Sequence, residues 1–149
     1  MMPKNKRMKT DHPLISGTIG TSLMTIFSYG ISAYKEKKFE EPKLLSELVG
    51  KIIKEKTAAD VSGWLMHYTM GCNMAFIFNK IWRKRKINPG IKQGLIAGTF
   101  SGILGILIWN TVFTAHPNPP KIVFKRYYGH LLLAHLVFAA GVALASHKK

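Results

Sequence analysis

The sequence predicts an all-α membrane protein, with four transmembrane helices arranged as two tandem two-helix units. Three observations lead there. Four apolar runs, Pro13–Tyr34, Ala58–Trp82, Pro89–Phe113 and Tyr127–Ser146, each come close to the roughly 20 residues that cross a hydrocarbon core of about 30 Å. Charged residues are swept into short blocks between these runs rather than dispersed along amphipathic elements, which is how membrane chains partition polarity. Finally, the phrase Leu14-Ile15-Ser16-Gly17-Thr18 returns 81 residues later as Leu95-Ile96-Ala97-Gly98-Thr99.

At 149 residues the chain has room for one domain, bounded at 13–146 by a basic tail on either side (1–12 and 147–149). Apolar residues make up 47%, and 22 Lys and Arg stand against seven Asp and Glu, for a net charge of +15. Such an excess suits nucleic-acid phosphates, but here it sits beside apolar runs, where anionic lipid headgroups supply the partner. Lipid is therefore the expected contact, and nucleic acid is not. The single cysteine, Cys72, excludes an intrachain disulfide and any Cys-built zinc or iron–sulfur site. It reads as a small buried hydrophobe.

The first run, about 22 residues after Lys4, Lys6, Arg7 and Lys9, is longer than the apolar part of a secretory signal. Its likeness to the third run also favours a retained span. The connector that follows holds Leu44, Leu45, Leu48, Val49, Ile52 and Ile53 at helical spacing, with Glu47, Lys51, Lys54 and Glu55 opposite. That pattern predicts an amphipathic helix at about 43–56, on the membrane surface or packed on the bundle. Thr57 and Asp60 resemble a capping box for the second span, and Asn88-Pro89 suits the start of the third. His116-Pro117-Asn118-Pro119-Pro120 ends the third span, and Pro120 is placed to start the fourth helix early. Orientation follows the short basic loops. The tails and Lys80–Lys92 carry 12 Lys and Arg against 10 in the other loops, which places both termini in the cytoplasm. Arg83, Lys84, Arg85 and Lys86 are the expected headgroup contacts.

Small residues point to close helix packing. Gly94, Gly98 and Gly102 recur every four residues on the third span, and Gly17 lies in the matching part of the first. Bare ridges of this kind let backbones approach in lipid. Internal packing of spans one and three on each other is expected first, with a homo-oligomer interface as the other use of the same faces. The second and fourth spans align more loosely, around Trp64-Leu65-Met66-His67 and Leu132-Leu133-Ala134-His135. This pairing predicts that His67 and His135 are equivalent and lie at equal depth.

His67, His135, Asn73 and Asn110 form the candidate polar site inside the membrane, where an ionisable group carries a functional hypothesis by default. Three readings of the histidines stand: neutral hydrogen-bonding groups that hold helices together, lining of a cavity for a small solute or proton, and axial ligands of a haem or a shared metal. His130 and His116 read as interfacial. No metal site is expected, since no Cys or carboxylate accompanies the pair, and haem is the only cofactor considered. Every acidic residue lies at or before Asp60, at the very start of the second span, so the last three spans have no carboxylate inside the membrane to act as general acid or base. No phosphate loop, nucleophilic triad or zinc helix occurs. An enzyme is not expected.

Gly17-Thr18, His67-x-x-x-Gly71, Gly98-Thr99 and His135 together resemble small four-span bacterial inner-membrane proteins of the YagU-like and YqhR-like kind, although Ala139 stands where a strict repeat of His-x-x-x-Gly needs glycine. The resemblance implies a bacterial cytoplasmic-membrane location and no defined activity. The expected function is a structural or accessory membrane component. A small transporter or channel-like protein with a His-lined site, and a haem-binding electron carrier, are the alternatives.

Overall fold

Proline, glycine and the polar ends of each apolar run set the helix boundaries. The computed structural model describes residues 12–35, 39–119 and 121–147. Among them the regular elements are all helical: α1 (Pro13–Lys35), α2 (Glu41–Val49), α3 (Lys56–Lys84), α4 (Ile91–Ala115) and α5 (Phe124–Ala145). The N-terminal lysines and Arg7, Pro120, Lys148 and Lys149 lie outside the described residues.

Three boundaries differ from the sequence pattern. The amphipathic helix is α2 alone, which starts at Glu41 with Pro42 in its first turn and stops at Gly50. Ile52 beyond it is 85% exposed. Second, Thr57 and Asp60 do not cap α3. The carboxylate of Glu55 accepts hydrogen bonds from the amides of Thr57, at 2.9 Å, and Ala58, so the helix begins at Lys56. Third, α4 starts after Asn88-Pro89, with the Gln93 side-chain oxygen accepting from the Gly90 amide at 3.1 Å.

The Glu55 cap carries a pH dependence of known sign. Its bonds from the Ala58 and Thr57 amides hold the carboxyl below the ordinary glutamate range. A depressed folded-state value contributes stability that is present above the unfolded value and is lost as pH falls through the folded one. Protection of the Thr57 and Ala58 amides from hydrogen exchange, measured relative to the intrinsic rate at each pH, is therefore expected to fall below the glutamate range. In Glu55→Ala the low protection should already be present at neutral pH and should not change with acidification.

Three helices are long and apolar enough to cross a membrane: Pro13–Tyr34 of α1, Ile91–Ala115 and Phe124–Ala145. Their outward faces are apolar, with Ile26 69% and Phe100 73% exposed. In water such faces would form an unusually large exposed patch, whereas in lipid they need no cover. At 29 residues α3 is the longest helix. His67, Thr69, Asn73 and Asn79 dilute its apolar character, and it falls outside the three.

Glycine then decides which long helices touch. A Cβ on Gly94 would lie 2.7 Å from the Ala140 Cα, and one on Gly98 would lie 2.8 Å from the His135 carbonyl oxygen. The α4 ridge is thus closed against α5, and Gly102 fits over Leu132 of the same helix. On α1, Gly17 faces Cys72 and Ala75 of α3, while Gly20 faces Phe138 and Val142 of α5. The long helices follow one another as α3, α1, α5, α4. This corrects the expected pairing of α1 with α4: each ridge is spent on an antiparallel neighbour. α2 packs on α3, where Gly63 admits the backbone of Pro42 and Ser46. Although a short loop joins α3 to α4, no extensive contact forms between them. A cleft remains there.

Arg83, Lys84, Arg85 and Lys86 are all exposed at the end of α3. Lys86 adopts a φ of 55°, the left-handed conformation that closes many helix C-termini, while the basic side chains complement the helix dipole.

Candidate functional site

One face of α1 carries hydroxyls at i, i+4, i+7 and i+11: Thr21, Thr25, Ser28 and Ser32. All four are buried. A buried hydroxyl needs a partner, and each of the last three has one brought to it by another element. The Ser32 Oγ accepts from the Phe39 amide at 3.2 Å, which turns the segment after α1 back into the bundle. That turn carries Glu41 inward. The Glu41 carboxylate is 2% exposed, and its Oε1 accepts from the Ser28 hydroxyl at 3.1 Å.

Since the Ser28 hydrogen goes to Glu41, its oxygen accepts from His130 Nε2 at 3.0 Å. His130 also stands 3.7 Å from Glu41 Oε1 and stacks between Phe27 and Phe39, with ring centroids 5.5 and 4.9 Å away. Sequence pattern placed His130 at the interface. Instead it is buried, because Phe27 and Phe39 sandwich the ring and Ser28 satisfies it.

The same reasoning fixes the tautomers of the other two histidines. Thr25 donates to the Thr21 carbonyl at 2.8 Å, so its oxygen accepts from His67 Nε2 at 3.0 Å. The His67 lone pair is left on Nδ1. His135 Nδ1 lies 2.8 Å from the Leu131 carbonyl, which can only accept. Its lone pair is therefore on Nε2, facing Gly105.

His67 and His135 line one cavity of about 100 Å³ at the cleft between α3 and α4, together with Glu41, Thr21 and Trp109. The pairs Thr25–His67 and Ser28–His130, with Gly20 against Val142, place the two histidines within about one helical turn in depth. They are not equivalent within their hairpins. Gly17 faces Cys72 and Ala75, five and eight residues past His67, whereas the matching Gly98 faces His135 itself.

Asn73 and Asn110 lie outside this site. Both are exposed, and Asn110 Oδ1 accepts from the Tyr128 hydroxyl at 3.2 Å. Asn79 is the buried asparagine; it donates to Ser16 Oγ at 3.0 Å and to the Ala75 carbonyl at 2.9 Å, tying α3 to α1.

Two buried polar atoms at the cavity, Glu41 Oε2 and Thr21 Oγ1, have no hydrogen-bond partner among the described residues. Sequence pattern gave Glu41 no role, and Thr21 only a place on the small-residue packing face of the first span. Among the described residues no three His, Cys, Asp or Glu side chains gather as a metal ion would require. Comparison with protein-family models, curated proteins and solved structures finds no match.

Proposed function

We propose that this chain is a four-span integral membrane protein that binds a small solute at an intramembrane polar site and moves it in a proton-linked cycle. One observation carries the proposal: the buried Glu41 carboxylate has one oxygen held by Ser28 beside His130 and a second buried oxygen without a hydrogen-bond partner among the described residues, in a side chain that lines a cavity together with His67 and His135. A purely structural bundle gains nothing from an unpaired buried oxygen, which costs about 1–3 kcal/mol and more when charged. A site that alternately takes a proton and a solute needs such an unpaired position. Ionisable groups inside a bundle serve such relays.

Several features support four spans. α3 shares the antiparallel packing of the other long helices, and its outward face carries Leu65, Met70 and Ile77. The repeated glycine phrase supports a tandem origin, with the second hairpin reset in register. The resemblance to small four-span proteins and the basic loops support a bacterial inner membrane with both termini in the cytoplasm. There Arg83–Lys86 would meet anionic headgroups. Haem draws no support, because a cavity of about 100 Å³ is well below the roughly 300–1,000 Å³ of cofactor sites.

Proton flux tests the proposal. In liposomes with an entrapped pH dye and a potassium diffusion potential, the protein should raise flux above protein-free vesicles. Glu41→Gln should lower that increment about tenfold, and His67→Ala combined with His135→Ala should lower it too. Flux that persists in both variants would exclude this site as the pathway.

A further inference from the structure

We infer that the groove between α1 and α5 is a binding site for an anionic phospholipid, its phosphate held by Arg126 and one acyl chain laid over Gly129. The site goes beyond the proposed transport role. It rests on α1 and α5 lying in a bilayer, and not on what the Glu41 cavity carries.

Arg126, Gly129 and Leu133 fall at i, i+3 and i+7 of α5 and so share one face of the helix. Phe27 and Ile31, four apart on α1, supply the facing wall of a groove of about 300 Å³. A Cβ built on Gly129 meets nothing within 4 Å, whereas one on Gly20 or Gly98 would meet the backbone of α5. Gly129 therefore admits no other helix. The side chain it lacks leaves a notch instead.

The groove has a polar end and an apolar end. Both helices are long and apolar enough to cross a membrane. Arg126 stands in the first turn of α5 and is exposed, at the level where a span leaves the hydrocarbon. Leu133 lies about 10 Å deeper by the rise of the helix. An occupant must therefore carry a charged head on an apolar chain that runs along the helix axis. A neighbouring helix, about 10–12 Å wide with its side chains, is too broad for a notch made by one absent side chain. An acyl chain is not.

Charge sets the head. No acidic residue lines the groove, and among the described residues no carboxylate pairs with Arg126. Lys125 is exposed beside it. His130 also lines the groove, but its Nε2 hydrogen is held by Ser28, so Arg126 is the donor left for a phosphate. A guanidinium meets phosphate through two parallel N–H···O bonds. A zwitterionic lipid offers the same phosphate but brings a quaternary ammonium among these cations, with no acid to receive it. The site is also separate from Arg83–Lys86. Ser28 meets His130 towards the C-terminal end of α1, whereas Ser16 meets Asn79 of α3 at its N-terminal end.

The test is photo-cross-linking of the full chain in phosphatidylcholine vesicles containing phosphatidylglycerol with a diazirine along one acyl chain. Label within 27–31 and 129–133 is expected, displaced by excess unlabelled phosphatidylglycerol and not by phosphatidylcholine. Arg126→Gln should raise the phosphatidylglycerol content needed for half-labelling about fivefold, the share of one basic residue at an anionic surface. Arg83→Gln, which removes the same charge at the other end of the bundle, should leave it unchanged. Gly129→Leu fills the notch with a good helix former and should abolish the displaceable label. Equal displacement by phosphatidylcholine would overturn the anionic head. An equal effect of Arg83→Gln would reduce the signal to general surface charge, and label unchanged in Gly129→Leu would remove the groove. If Gly129→Leu loses its helical circular dichroism, the exposed Arg126→Gln exchange decides the matter alone. None of these readings involves proton flux, so failure of the transport proposal leaves the lipid site standing.

Discussion

Gly98→Val is expected to separate α4 from α5 and to destabilise the bundle by about 1–3 kcal/mol or more. The reason lies in what the new side chain would meet. Even a Cβ at Gly98 would stand 2.8 Å from both the His135 carbonyl oxygen and the Leu136 Cα, and 3.2 Å from the Ala139 Cβ. Two of these are backbone atoms and cannot rotate aside, so the helices themselves must part. In lipid, where packing rather than water exclusion holds helices together, that separation removes the attraction directly. Gly30→Ala is the matched control. Nothing lies within 4 Å of a Cβ built there, so that exchange should be neutral or should stabilise by up to about 1 kcal/mol through helix propensity. Denaturant titration in micelles, followed by circular dichroism, separates the two. A Gly98→Val protein within about 0.5 kcal/mol of the unmodified chain would rule out the close α4–α5 approach.

That ridge illustrates what sequence can and cannot supply. Gly94, Gly98 and Gly102 announce a close contact, because spacing four on a helix makes one bare face. They do not name the partner, which depends on where the opposite helix presents Ala139, Ala140 and Leu136. Histidines inside apolar runs are equally legible, and His67 and His135 meet at one cavity. Glu41 was hidden for the opposite reason. It lies in a stretch crowded with Lys and Glu, where a carboxylate reads as solvated. The usable signal was on a different element. Thr21, Thr25, Ser28 and Ser32 fall on one face of an otherwise apolar helix, and hydroxyls buried there require polar partners from elsewhere. His130 was misplaced because nearness to a helix end does not measure burial when another segment folds back over that end. Phe39 does so here.

Ser28→Ala is expected to cost about 3 kcal/mol, a large effect for the loss of one oxygen atom. Ser28 is fully buried. It donates to Glu41 Oε1 at 3.1 Å and accepts from His130 Nε2 at 3.0 Å. Its removal leaves a buried carboxylate with no hydroxyl donor and an imidazole 3.7 Å away, beyond good hydrogen-bond reach. Much of this cost belongs to the groups left behind, so it should shrink once they are gone. In a Glu41→Met background, Ser28→Ala should cost about 1 kcal/mol, giving a coupling of roughly 2 kcal/mol in the double-mutant cycle. The triple variant Ser28→Ala, Glu41→Met, His130→Phe carries the argument to its end. Phenylalanine keeps the stacking against Phe27 and Phe39, and methionine fills the volume of the glutamate, so every buried polar group of the cluster is exchanged for packing. Its stability should return to within about 1 kcal/mol of the unmodified chain, as proteins commonly do when a buried polar cluster is exchanged for well-packed apolar groups, while proton flux stays lost. Recovery of stability without recovery of flux would mean that Ser28, Glu41 and His130 serve the passage of protons, since the fold can do without them. If the triple variant remained as unstable as Ser28→Ala alone, the cluster would instead be part of what holds α1, α2 and α5 together.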